Sequence, residues 1–378
     1  MHASNLPHIT SAEIIDDLAP YLLQHKQSAV ILGAPGLGKT ATIRQLVLPM
    51  AAHYGVAVDE VAFVEFHAAD RDAVEINGLA LPKKSPDAPS GASTAYSRSP
   101  LLEELLATGK KYIVLLIDEI TQADAAMQKA LRHLVESDTR MLGGEHLDAL
   151  GLEVLVILAG NRLADKAGSA RLLSHFSNAV MRFEMRFDID SWVQWAERNS
   201  INPMLIAAAQ AMHEDDLFVP AVPAEDVQFS TPRSFSKLNE VLAPFSRSDG
   251  SIALTPWARR MMEAWIGGKA TDMVVNFLAL HRHLPSKQDI LTNPEGCKLP
   301  DDTQAQYAAA QLALSVATDS DSADAALKYV LRMRTDLTIS FGAALLRKSH
   351  REGYLLVGPT ASQFVAKHHD LLPLTQRA

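Results

Sequence analysis

The stretch Gly33-Ala34-Pro35-Gly36-Leu37-Gly38-Lys39-Thr40 has the spacing G-x-x-x-x-G-K-T, and its residue types suit one task, holding a polyphosphate. Glycines let backbone N–H groups curl around a phosphate with no Cβ in the way, and a helix opening at Ala41 favours negative charge at its start. Lys39 reaches the β- and γ-phosphates of ATP, and the Thr40 hydroxyl is a ligand for Mg2+. About 80 residues later an apolar run ends in Asp118-Glu119. Asp118 is placed to hold Mg2+, directly or through water, and Glu119 to polarise an attacking water. Alone, such a pair is a solvated acidic turn; its spacing after the phosphate loop gives it a chemical part. A second apolar run leads into Asn161, whose amide orients the lytic water, or touches the γ-phosphate, or simply caps a turn.

These residues need elements to hold them. Ala29-Val30-Ile31-Leu32 reads as the strand leading into the phosphate loop, and Ala41–Leu46 as the helix leading out. Val61–Phe66 reads as a second strand. Tyr112–Ile117 and Val154–Gly160 are continuous rather than alternating apolar runs, which suits parallel strands buried on both faces. Ligands of open α/β sheets bind beyond the carboxyl ends of the strands, where Asp118, Glu119 and Asn161 fall. Ser11 reads as the cap of a first helix with Ile14, Ile15, Leu18 and Leu22 on its apolar face. Thr121 reads as the cap of a helix burying Met127, Ala130, Leu131, Leu134 and Val135. Residues 139–148 read as a hairpin turning at Gly143-Gly144. Residues 67–100 are polar and rich in proline, and a segment that long is functional or mobile.

After Asp190 the pattern is helical, with Trp192, Val193 and Ala196 on one buried face. Residues 256–283 read as one or two helices interrupted at Gly267-Gly268. The tail carries Ala- and Leu-rich helical segments over Gln304–Thr318, Ala323–Arg334 and Leu337–Arg347.

The chain has 378 residues, 48% hydrophobic and 21% charged, enough for two or three domains with a sizeable core. A net charge of −9 argues against wrapping nucleic acid over a broad surface, while a local basic pore would escape that test. Cys297 is the only cysteine, so an intrachain disulfide is excluded and a reducing compartment fits. The first residues lack a basic region followed by an apolar one, and no apolar stretch reaches bilayer length, so the expectation is a cytoplasmic protein without a membrane segment. His281-Arg282-His283 and Lys367-His368-His369-Asp370 lack zinc-site spacing and read as surface polar clusters.

Taken together, Gly33–Thr40, Ile113–Glu119 and Leu158-Ala159-Gly160-Asn161-Arg162 resemble the AAA+ ATPases. Within them the chain is similar to the MoxR branch, through Asp72-Ala-Val-Glu-Ile-Asn-Gly78-Leu79 and Ser230-Thr231-Pro232-Arg233-Ser234-Phe235. The resemblance implies an α/β core with a five-stranded parallel sheet of order 5-1-4-3-2 over residues 1–190, a helical lid over 191–285 and a helical C-terminal extension over 286–378. It makes Asn161 the first sensor and Arg233 the second. It implies a ring, commonly a hexamer, with ATP at each subunit boundary and an arginine from the neighbour. Residues 70–100 and the 139–148 hairpin would face the pore or the ring face.

Relatives carry that arginine just before the fifth strand, where this chain has Asn178-Ala179-Val180. Arg171 and Arg182 are the nearest substitutes, and Arg171 is the better one because a strand-interior residue is less free to cross a boundary. The expected function is an ATP-hydrolysing remodelling motor acting on a client or adaptor protein, the resemblance suggesting one with a von Willebrand A-type domain. Lys83, Lys84 and Arg98 keep open a nucleic-acid motor or loader, and the displaced finger a nucleotide-controlled scaffold with little turnover.

Overall fold

The computed structural model describes residues 6–84, 92–165, 171–212, 217–218, 222–223, 227–247, 252–280, 284–285, 287–354 and 358–368. The chain divides into two compact units, Met1–Asp188 and Ile189–Ala378.

The first unit is built on parallel strands. In chain order they are β1 (His8–Ile9), β2 (Ala29–Leu32), β3 (Val61–His67), the hairpin strands β4 (Ala80–Lys84) and β5 (Ala92–Tyr96), then β6 (Tyr112–Asp118). The hairpin strands β7 (Met141–Leu142) and β8 (Glu145–His146), then β9 (Glu153–Gly160) and β10 (Met181–Met185), complete the set. The main sheet runs β1-β10-β2-β9-β6-β3, every pair parallel. It therefore has six strands and not the expected five. The addition is β1, whose two residues pair with Glu184 and Met185 at the β10 edge, too short a pairing to leave a periodic signal.

Strand β6 shows how the sheet is held. Ile113, Leu115 and Ile117 pack on one face in a core with Met127, Leu131 and Leu134 of helix Ala125–Val135. Val114 and Leu116 pack on the other with Ile43, Leu46, Met50 and Leu22. A strand with alternate residues committed to two cores must be apolar throughout. Each fully buried Leu or Ile contributes about 1.5–3 kcal/mol, so the strand cannot slip without losing both cores. Register brings Leu32 beside Gly160, Ile117 beside Leu158 and Asp118 beside His67, so the carboxyl ends of β2, β3, β6 and β9 gather at one edge.

Two expected helix caps are corrected. The first helix is capped by Thr10, whose hydroxyl accepts the Glu13 N–H while Glu13 returns a bond to the Thr10 N–H; Ser11 is its first residue. Helix Ala125–Val135 is capped by Asp124, whose carboxylate accepts the Met127 N–H, and Thr121 lies outside it. In both places the residue in extended conformation just before the turn takes the role, and several Ser, Thr and Asp residues compete for it. Within the proline-rich 67–100 segment the structure adds helix Val74–Asn77 and the β4–β5 hairpin, whose Pro82 is tolerated in a two-stranded ladder.

The second unit is helical and contains both the residues expected as lid and those expected as extension. Trp192 is 7% exposed and packs against Phe218 and Phe235, with ring centroids 6.1 and 5.7 Å away. Helix Pro256–Leu280 is broken at Gly267, where φ is 76°. Helices Pro203–Ala211 and Thr303–Val316 approach through small buried residues, among them Ala207, Ala309 and Ala313, and Gln311 donates to Gln210 at 2.8 Å. His281–His283, His369 and Asp370 lie outside the described residues. His368 is not at the surface as expected: it is 7% exposed and its ring sits 5.1 Å from that of Phe364.

At the other end of the sheet, Tyr54 donates to Glu153 at 3.1 Å, and Lys26 lies 3.3 Å from the same carboxylate. Burial, then the neighbouring Glu153 charge, pushes the Tyr54 phenol up to about 12. The folded phenol keeps its proton where an unfolded tyrosine, near 10, would lose it. Its contribution to stability is therefore whole below that pH and lost as pH rises through about 12. Urea unfolding followed from neutral to strongly alkaline pH is expected to show this fall, less steep in Tyr54→Phe.

Candidate active site

The turn from β2 into the helix Lys39–Arg44 is made by Gly33–Gly38. Gly36 has φ 75° and Gly38 φ 101°, and Gly38 is the residue that caps the helix. A Cβ at Gly38 would meet nothing within 4 Å, so the conformation, not crowding, demands glycine. The first turn of any helix leaves N–H groups without intrahelical acceptors, and here they open onto the loop.

Lys39 is 9% exposed, and its ammonium donates to the carbonyls of Gly33 at 2.8 Å and Ala34 at 3.1 Å and to Asn161 Oδ1 at 3.2 Å. The Thr40 hydroxyl donates to Asp118 Oδ2 at 3.1 Å. Two residues adjacent in the chain thus reach two strand ends, Lys39 to Asn161 after β9 and Thr40 to Asp118 at the end of β6. The Gly33 N–H also donates to the Gly160 carbonyl at 3.2 Å, tying the loop's first residue to the end of β9.

Glu119 follows directly. It is half-buried, with φ 58°, in the left-handed region that non-glycine residues avoid, and its N–H donates to Asp118 Oδ1 at 2.8 Å. Strain of this kind costs on the order of 1–3 kcal/mol and persists where the surroundings impose it. Here the sharp turn swings Glu119 out of the line of β6.

The donor set fits the groups the sequence points to. Thr40 and Asp118 are hard oxygen donors of the kind Mg2+ takes, and Lys39 is a cation held by neutral oxygens that an anion's charge outbids. Glu65 and His67 on β3 also crowd Asp118, with one ligand atom from each of the three within 4.8 Å of the others. Glu65 is engaged by Arg44 at 3.0 Å. In the sequence this pair has no signal beyond its place at the end of the second strand.

The arginines separate. Arg162, next to Asn161, is bound to Asp165 at 2.7 Å and Glu184 at 3.3 Å, and its guanidinium is held firmly charged, first by the Asp165 bond. Arg171 is exposed, in the stretch before the short helix Ser174–Ser177 and not inside it. Arg182 lies in β10 opposite Val30, with its Nε buried and unbonded. Ala179, at the expected arginine position, is half-buried. Arg233 is in the second unit, exposed, at the second residue of helix Pro232–Leu242, which Thr231 caps through the Ser234 N–H.

Neither a protein-family model nor a curated protein matches the chain. Solved structures align with it at low similarity. The RuvB Holliday junction branch migration motor of Thermotoga maritima is 13% identical, with a TM-score of 0.30 over 72% of this chain and 68% of that one. NtrX from Brucella abortus in complex with ADP is 17% identical, with a TM-score of 0.36 over 91% and 68%. The ORC1 protein of Aeropyrum pernix in complex with DNA is 13% identical, with a TM-score of 0.34 over 96% and 83%. Likenesses this faint carry no argument about activity, which rests on the site's own geometry.

Gly38→Ala places a side chain at φ 101°. It is expected to weaken binding of a fluorescent ATP analogue by about tenfold or more, for a strain of about 1–3 kcal/mol. Titration of the folded variant checks this.

Proposed function

We propose that this chain is a P-loop ATPase of the AAA+ type, of the MoxR branch, that hydrolyses ATP to remodel a partner protein. The single observation carrying this is the meeting of Lys39 with Asn161 and of the adjacent Thr40 with Asp118, with Glu119 in its strained turn next to Asp118. Gly33–Ala41 cradle the phosphates through backbone N–H groups. Lys39 exchanges its loop carbonyls for β- and γ-phosphate oxygens and offsets their charge. Thr40 and Asp118 would hold Mg2+, which neutralises developing charge when bound. Glu119 accepts a proton from the attacking water, and Asn161 orients that water against the γ-phosphate. Arg233 keeps the part of second sensor that the resemblance gives it.

The proposal includes a ring, hexameric in the resembling family, with Arg171 reaching a neighbour's site; exposure and lack of a strand ladder make it better suited than Arg182. Its client would be a protein bearing a von Willebrand A-type domain. A nucleic-acid motor is the second reading, favoured by the exposed β4–β5 hairpin with Lys83, Lys84 and a 66% exposed Tyr96. Single-stranded DNA that stimulates turnover in the parent and not in Lys83→Ala/Lys84→Ala would select it.

Two substitutions test the central reading. Lys39→Ala is expected to abolish nucleotide binding measured by titration. Glu119→Gln is expected to keep binding and lose turnover by about 10²–10⁴-fold. Undiminished binding in Lys39→Ala, or undiminished phosphate release in Glu119→Gln, overturns it.

A further inference from the structure

Asp124 caps the helix that Thr121 would have capped, and this releases the Thr121 hydroxyl for another bond. Its Oγ1 accepts the backbone N–H of Asn161 at 3.1 Å, across from β6 to β9. Thr121 is 3% exposed, in a place where water cannot replace that acceptor. Its contact with β9 is close: a Cβ on Gly160 would stand 2.8 Å from both Thr121 Oγ1 and Cγ2. Glycine at 160 is therefore the space that Thr121 fills.

Each end of this contact leads to a reacting group. Asn161 Oδ1 receives Lys39 Nζ at 3.2 Å, so its amide is fixed on the phosphate-loop lysine. Two residues before Thr121 stands Glu119 at φ 58°. That turn is closed by the Gln122 N–H on the Glu119 carbonyl at 2.8 Å and by the Ile120 N–H on the Ala159 carbonyl at 3.0 Å. One stiff, β-branched side chain thus joins the strained turn carrying the acid to the residue meeting the lysine.

We propose that Thr121 is a positioning residue for hydrolysis, its hydroxyl setting the spacing between the Glu119 carboxylate and the Asn161 amide. This rests on the ATPase reading above and deepens it. A strained left-handed turn has a relaxed alternative close by, and without a fixed neighbour Glu119 would sample it. Displacements on the scale of 1 Å at a reacting geometry cost about a hundredfold in rate. Substrate grip depends on Gly33–Thr40, and Lys39 keeps its bonds to the Gly33 and Ala34 carbonyls whether or not Asn161 shifts.

Valine at 121 keeps the shape and removes the acceptor; serine keeps the acceptor and removes the methyl. The full chain and the variants Thr121→Val and Thr121→Ser are compared for Mg2+-dependent ATP turnover and for binding of a fluorescent ATP analogue. Thr121→Val is expected to lower kcat about tenfold or more, with KM and analogue affinity within about twofold of the parent; Thr121→Ser is expected to return kcat to within about threefold. Parent-like kcat in Thr121→Val, in a parent that turns over ATP, overturns the positioning role and leaves the ATPase reading standing. Joint loss of analogue affinity in both variants also overturns it, because it marks a residue that only supports the fold. A parent that binds the analogue yet releases no phosphate overturns the ATPase reading itself, and this role with it.

Discussion

A buried ammonium must be met by oxygen atoms, because leaving it unmet in a low-dielectric interior costs far more than any single contact returns. Lys39 is such a group, and its acceptors come from the loop it belongs to and from the end of β9. That requirement draws β2 and β9 together at their carboxyl ends, and the Thr40–Asp118 bond adds β6. The site is thus not laid on a finished sheet. It is one of the constraints that set where the strand ends meet.

The sheet supplies the opposite quality, rigidity. Because β6 sends alternate side chains into two separate cores, its end can shift only if both repack. A turn as strained as the one at Glu119 survives on such a support. Where the support ends, the chain is freer in character: the β4–β5 hairpin stands with Leu79, Leu81 and Tyr96 exposed. Groups held on the rigid sheet and groups exposed on the hairpin are divided within the same unit.

What was legible in the sequence had a short reach. The glycine loop stands out because its glycines, lysine and threonine lie within eight consecutive positions, and buried parallel strands stand out by unbroken apolar runs. The caps are ambiguous in sequence because Thr10 and Ser11, or Thr121 and Asp124, are chemically similar candidates, and only backbone conformation chooses between them. The edge strand His8–Ile9 was invisible because two residues carry no period. His368 stands among polar neighbours in the sequence, yet the Phe364 ring gives it a buried place.

By itself, then, the sequence determined the chemistry on offer: a glycine loop with lysine and threonine, an acid pair and an amide, each closing an apolar run. Local spacing suffices for that, since phosphate cradles and strand ends are built from neighbours in the chain. Only the tertiary structure decided which groups touch. It gave Asn161 to Lys39, Thr121 to Asn161, and Arg162 to Asp165 and Glu184, removing that arginine from the pool of free cations. Lys39 and Asn161 are separated by 122 positions, and nothing in a linear pattern encodes a bond closed by the register of parallel strands.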